Sequence, residues 1–289
     1  MQSSVKKSQN ALLKSRKIVQ KANSKKSQKR VSFNQSQGKP DKGQFKKRGI
    51  KMNRTKKLAK KYETTKTLKE MKKDFYVSDG NTKLVSNEKT LFLIWNIPAK
   101  LTCPYATELC KESCYAVKAE TAYPDCLPSR TRNYEFSKTE NFVPEMIEFI
   151  KIKLNGLKEG RKIIFRIHES GDFYNLSYLK KWLEIISFFA DDKRIKFVCY
   201  TKSVRFFAKT NFQTLKNFVV RYSVWADTRE EEKELAKSLG LPIYTAYDRK
   251  TIDEMESKGI VFHECRCSDC ATCQKCFNSH NMLILCEIH

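Results

Sequence analysis

Residues 91–120 read LFLIWNIPAKLTCPYATELCKESCYAVKAE, a nearly continuous apolar run followed closely by three cysteines, Cys103, Cys110 and Cys114. An unbroken run of this kind suits a strand buried on both faces, as in a parallel sheet; a strand with one wet face would alternate. Five further runs share that character: KIIFRI (162–167), IKFVCY (195–200), FVVRYSV (218–224), PIYTAY (242–247) and the short IVF (260–262). Amphipathic stretches separate them. Residues 142–157 align Met146, Ile147, Ile150 and Leu154 on one stripe, and 177–190 do the same with Leu179, Trp182, Leu183 and Ile186. The segment 227–240 predicts a third helix, with Thr228 as N-cap, Glu231 as its capping-box partner and Gly240 as the stop. A fourth is expected over 249–258. Strand and helix alternating through six strands predict an α/β fold with a parallel sheet, either open or curled into a (βα)6 partial barrel. In either form the loops at the carboxyl ends of the strands converge on one edge, where sites are built. The three cysteines lie on the first of those loops.

Charge divides the chain. Of the formal +25, residues 1–73 supply 25 Lys and Arg against Asp41, Glu63 and Glu70, and the remainder is close to neutral. That first quarter is poor in large apolar residues, so it is expected to be a disordered Lys-rich tail with at most a short helix near 11–22. Unopposed lysines attract phosphate polyanions, which makes nucleic acid the expected partner of residues 1–73; a solubilising tail is the plainer reading. The division expected is tail 1–73, α/β core 74–262 and Cys-rich metal-binding extension 263–289. No apolar stretch is long enough to span a membrane and no apolar signal region follows the N-terminus, so a cytoplasmic protein is expected.

Eleven cysteines in clusters, without a secretory signal, point to metal ligation instead of a disulfide framework. Cys103, Cys110 and Cys114 are one thiolate short of closing a tetrahedral zinc site or a 4Fe-4S cluster, leaving a position open to water or substrate. Alternatively Cys126 or His168 completes a structural zinc. A second group, Cys265, Cys267, Cys270, Cys273, Cys276 and Cys286, contains the C-x2-C-x2-C rhythm of an iron–sulfur site; a zinc held by four thiolates stays open, with His263 and His280 nearby. Cys199, inside an apolar run, reads as a buried small hydrophobe. In HESGDF, His168 with Glu169 and Asp172 suits proton transfer, although a histidine ending a strand equally serves as a structural hydrogen bonder. The arginines of SRTRN (129–133) and Lys202 suit an anionic substrate, or ordinary salt bridges.

The combination of LTCPYATELCKESCYAVKAE, LPSRTRN (127–133) and IFRIHESGDFY (164–174) resembles the phage gene product 88 family over roughly residues 90–280. That resemblance implies a protein of a phage or mobile-element host. More distantly, the chain is similar to radical S-adenosylmethionine enzymes, which carry a three-cysteine loop after the first strand of a six-unit partial barrel. The likeness implies a 4Fe-4S cluster on Cys103, Cys110 and Cys114. It also implies an amino group of S-adenosylmethionine received near Glu169 or Asp172, with Ser170 and Gly171 in the same cofactor-binding element, and an auxiliary cluster on the C-terminal thiols. The spacing differs: six and three residues separate these cysteines where the radical enzymes have three and two, and Ser113 precedes the third cysteine.

Overall fold

Backbone ladders join all but the last two strands in the order of the chain. The computed structural model describes residues 66–266, 269–278 and 282–287. Helix α1 (Leu68–Asp74) comes first, followed by β1 (Val77–Ser78) and β2 (Thr90–Trp95). Four helices, α2 (Glu108–Glu112), α3 (Tyr115–Ala122), α4 (Cys126–Lys138) and α5 (Phe142–Asn155), lead to β3 (Lys162–Ile167). Then come α6 (Leu176–Phe188), β4 (Ile195–Thr201), α7 (Val204–Phe207), β5 (Phe218–Val224), α8 (Glu230–Ser238), β6 (Ile243–Tyr247) and α9 (Arg249–Ser257). The last elements are β7 (His263–Glu264), α10 (Cys270–Cys273), α11 (Lys275–Asn278) and β8 (Ile284–Glu287).

The sheet runs β1-β2-β3-β4-β5-β6-β8-β7, and only β1 pairs antiparallel. Five of the six expected strands are present. The sixth is corrected: residues 260–262 are not a strand, and Val261 is 91% exposed. Three apolar residues are too few to separate a strand from a loop. In its place β7 and β8, both from the segment expected to form a separate extension, continue the sheet to eight strands, with β8 inserted between β6 and β7. The boundary at 73 also moves. Thr67 and Glu70 form a reciprocal capping box at the start of α1, and Met71 is wholly buried, so residues 66–73 belong to the folded body. Residues 1–65, including the helix expected near 11–22, lie outside the described residues.

Each strand divides its side chains between two faces. Leu93, Trp95, Phe165, Phe197, Val220 and Tyr222 join α5, α6 and α7 in the larger core, where Phe142, Trp182 and Phe207 pack against them. Consecutive parallel strands with right-handed crossovers place their helices on one side in this way. The other face bears a smaller apolar cluster of Phe92, Ile94, Ile164, Val198 and Val219, covered by Ala271 and Phe277 of α10 and α11. Helix α8 starts one residue later than its capping signal suggested. Arg229 is the N-cap, while Thr228 is buried and its hydroxyl accepts the Trp225 N–H at 2.8 Å. Glu230, Glu231 and Glu232 fill the first turn, where the helix dipole favours carboxylates. Among the described residues no helix is long and apolar enough to cross a membrane.

Arg221 on β5 fastens the C-terminal segment to the second face. It is wholly buried and donates to the carbonyls of Cys276 (2.7 Å), Met282 (3.2 Å) and Lys275 (3.2 Å). Arg221→Met keeps the apolar stem but strips these carbonyls of their donors. It is expected to cost about 3 kcal/mol, read as a lower urea midpoint with an unchanged slope.

Candidate functional site at the carboxyl edge of the sheet

The loop after β2 carries Cys103, Cys110 lies on α2, and Cys114 is the N-cap of α3. All three are free and half-buried. They stand close enough for the charge on one to influence another. Burial, reinforced by the charge of Asp172, pushes the Cys103 thiol up to about 12. Burial also raises Cys110, but the ammonium of Lys202 beside it opposes the shift. Lys202 in turn donates to Ser223 Oγ at 2.8 Å and lies 6.0 Å from the Trp225 ring. A cavity of about 310 Å³ opens next to the thiol loop, with Tyr105, Thr107, Lys202, Asp227 and Glu232 on its walls. Asp227 Oδ2 accepts the Leu109 N–H at 2.9 Å, tying α2 to the loop after β5.

What holds the thiol loop in place is a set of polar groups, several of which the sequence did not single out. The Glu120 carboxylate accepts from Arg130 Nη1 (2.8 Å), from the Ala99 N–H (2.9 Å) and, more weakly, from Ser170 Oγ (3.4 Å). Arg130 also donates to the Ala116 carbonyl. The Arg130 of SRTRN, expected as an anion binder, is thus committed to a buried ion pair. Asn133, from the same motif, bridges both backbone groups of Tyr76 and the Asn96 carbonyl. Asn96 Oδ1 receives the N–H groups of Glu169 (2.8 Å) and Ser170 (2.9 Å). Glu120→Gln leaves a buried guanidinium without its counter-charge and is expected to lower stability by about 3 kcal/mol in equilibrium denaturation.

The HESGDF element divides between site and scaffold. Glu169 stays at the edge, its carboxylate held by Asn81 Nδ2 and, at 3.4 Å, by Asn96 Nδ2, and its carbonyl by the Tyr115 hydroxyl. Ser170 is buried and donates to the Ile97 carbonyl at 2.9 Å. Gly171 has φ +81°, and a Cβ there would collide with the Ile97 side chain and stand 2.6 Å from Thr102 Oγ1. Both residues, expected to bind a cofactor, are taken up in packing the loops after β2 and β3 together. Asp172 accepts from Thr201 Oγ1 (2.7 Å), the Lys202 N–H (2.8 Å) and the Phe173 N–H (2.7 Å). Burial still holds its carboxyl above the usual range. Its oxygens bind the end of β3 to the end of β4.

His168, expected as a proton-transfer group, sits on the helical side of the sheet. Its Nε2 meets the Tyr178 hydroxyl at 2.8 Å and its ring lies against Phe173, with φ at +63°. Burial, then the nearby charge of Arg166, lower the imidazole to about 3. The ring is therefore neutral at physiological pH and fills a structural position. Because the unfolded chain takes up this proton near pH 6.5 and the folded one only near 3, stability falls as pH drops through that window, by up to about 1.4 kcal/mol per pH unit. His168→Gln is expected to flatten that part of the stability–pH curve, measured by urea midpoints from pH 7 to pH 3.

The C-terminal thiols lie on the second face, where Cys270 and Cys276 pack against its apolar cluster. Cys276 is drawn down by the Cys265 thiol donating to it, by the Tyr200 hydroxyl and by Arg221 and Arg166. Cys286 and Cys270 lie near enough to influence Cys265. Cys273 Sγ stands 3.7 Å from His263 Nε2. Cys267 and His280 lie outside the described residues. Cys199 is wholly buried in β4. The donors are chemically apt for zinc or an iron–sulfur cluster, yet among the described residues no group of three or more His, Cys, Asp or Glu is disposed to hold a metal ion.

Arg166 was also overlooked. It interrupts the apolar run of β3, stacks 3.8 Å from the Tyr200 ring centroid and donates from Nε to the His168 carbonyl at 3.0 Å. A basic residue in a run buried on both faces is the signal that could have revealed it.

These features define a thiol-rich α/β protein with a mostly parallel sheet, ordered sequentially from β1 to β6. The chain belongs to the gene product 88 family, whose profile matches residues 52–279. It is similar to the Gene 88 protein of Mycobacterium phage D29, at 24% identity over 200 residues, covering 63% of this chain and 81% of that protein. The Gene 88 protein of Mycobacterium phage L5 is 25% identical over 207 residues, with the same coverage. No solved structure matches the chain.

Proposed function

We propose that this chain is an iron–sulfur protein with a radical S-adenosylmethionine-like chamber, in which Cys103, Cys110 and Cys114 hold a 4Fe-4S cluster at the carboxyl edge of a sheet curved as a partial barrel. The observation that carries this reading is the delivery of three free, half-buried thiols by one loop to that edge. Protonated and shielded, Cys103 has little use as a nucleophile, whereas a metal would displace its proton. Metal binding and local folding are coupled, so a metal would have to draw the three sulfurs together. A bound cluster supplies one-electron transfer and an iron position not claimed by protein.

The chain's own residues supply the surroundings. Lys202 offsets negative charge beside Cys110, Glu169 is pinned by Asn81 and Asn96 where a substrate or S-adenosylmethionine ammonium would be received, and the 310 Å³ cavity offers space next to the thiols. Cys265, Cys267, Cys270, Cys273, Cys276 and Cys286 would carry the auxiliary metal. The Lys-rich residues 1–73 would recruit nucleic acid in the cytoplasm of a phage or mobile-element host.

A second reading, a zinc-stapled nucleic-acid-binding protein without catalysis, draws on the Cys273–His263 contact and on Arg221 fixing that segment to the sheet. Anaerobic reconstitution with iron and sulfide separates the two. The expected result is about four irons lost on Cys110→Ser, and an electron-spin signal of the reduced cluster perturbed by S-adenosylmethionine. Stoichiometric zinc with no iron would sink the first reading.

A further inference from the structure

At the opposite, amino edge of the sheet lies a cavity of about 920 Å³, large enough for a small-molecule ligand. It is formed where β2 and β3 begin. Lys89, Lys158, Arg161 and Lys162 line it, against only two carboxylates, Glu88 and Glu159. Among the described residues none of these four cations has an ion-pair partner, in the cavity or outside it. The Nε of Arg161 is buried without a hydrogen-bond partner, and its Nη2 has a single long bond, 3.5 Å to the Thr90 carbonyl. Lys196 lies close enough that the charge of Lys162 adds to burial in depressing its ammonium.

Like charges gathered on a concave wall raise the local potential, and a buried guanidinium nitrogen without an acceptor costs free energy. An oxyanion that accepts several charge-assisted hydrogen bonds at once relieves the first penalty, and the second once the guanidinium turns its Nε to it. Solvated lysines alone would explain the charges but not the unpartnered Nε.

We infer that this basin is a binding site for phosphate groups, centred on Arg161 and flanked by Lys158, Lys89 and Lys162. It stands apart from Cys103, Cys110 and Cys114, on the other edge of the sheet, while Gln274, between Cys273 and Cys276 of the second thiol group, forms part of its wall. Its ligand is a phosphate of a nucleic-acid backbone or of a free polyphosphate compound; the chemistry recognised is the same.

The test uses the full chain and inorganic tripolyphosphate as probe, by calorimetric titration at low and at physiological salt. Arg161→Gln is expected to weaken binding roughly tenfold, the loss of one charged hydrogen-bonding group. The exposed Lys158→Gln, which leaves the Arg161 packing intact, is expected to weaken it in the same direction. Lys180→Gln, an equal charge change on exposed surface of α6, is expected to leave it unchanged. Equal affinity in all four proteins, or equal loss in all three variants, overturns the site. Competition by a single-stranded oligothymidylate for the Arg161-dependent binding would assign the phosphates to nucleic acid, and failure to compete would assign them to a free polyphosphate.

Discussion

The carboxylate of Glu120 is the knot from which the carboxyl edge is built. It lies just after the thiol loop in sequence, and in space it joins four segments: α3 that bears it, α4 through Arg130, the β2 exit through Ala99, and the β3 exit through Ser170. Both partners of the ion pair are about nine-tenths buried, so both are already stripped of water and the pair tolerates no half measures. Asn96 and Asn133 extend the same network to Tyr76, just before β1, and to the backbone of Glu169. The position of three cysteines therefore rests on amides and carboxylates that never touch them.

The sheet's two faces divide the labour. The helical face is an aromatic core in which Trp95, Phe142, Phe165 and Trp182 meet at centroid distances of 5.3–6.0 Å, and His168 is absorbed into it beside Tyr178. Polar chemistry is displaced to the other face and to the strand ends. There Arg166 stacks on Tyr200, Arg221 secures the C-terminal segment, and the second thiol group gathers. Sequential order from β2 to β6 makes this possible, because it gathers the helices between those strands on one face and leaves the other to α10 and α11.

Much of this was legible in the sequence, for identifiable reasons. The β2 to β5 runs are largely buried on both faces, so their apolar continuity survived as a signal, and α5 and α6 kept a clean 3.6-residue stripe. The placement of the thiol loop after the first long strand followed directly. β8 was missed because LILCEI lay in a stretch rich in thiols, and β1 because two residues carry no period. The Thr228 capping signal was outcompeted by a turn in which its hydroxyl serves Trp225. HESGDF looked catalytic as a string; folding turned His168 to one face, packed Gly171 against Ile97 and left Glu169 at the edge. Glu120, Asn96 and Asn133 were invisible because their partners come from remote segments, and no local pattern encodes a rendezvous.

The insertion of β8 between β6 and β7 has a consequence for synthesis. β7 leaves the ribosome first but pairs only with β8, and β6 likewise waits for β8 on that side. Until Ile284–Glu287 has been made, two strand edges stand open and the cysteines between them have no fixed neighbours. A nascent chain halted just short of that point keeps its aromatic core yet presents an unsealed sheet margin, open to pairing with another chain.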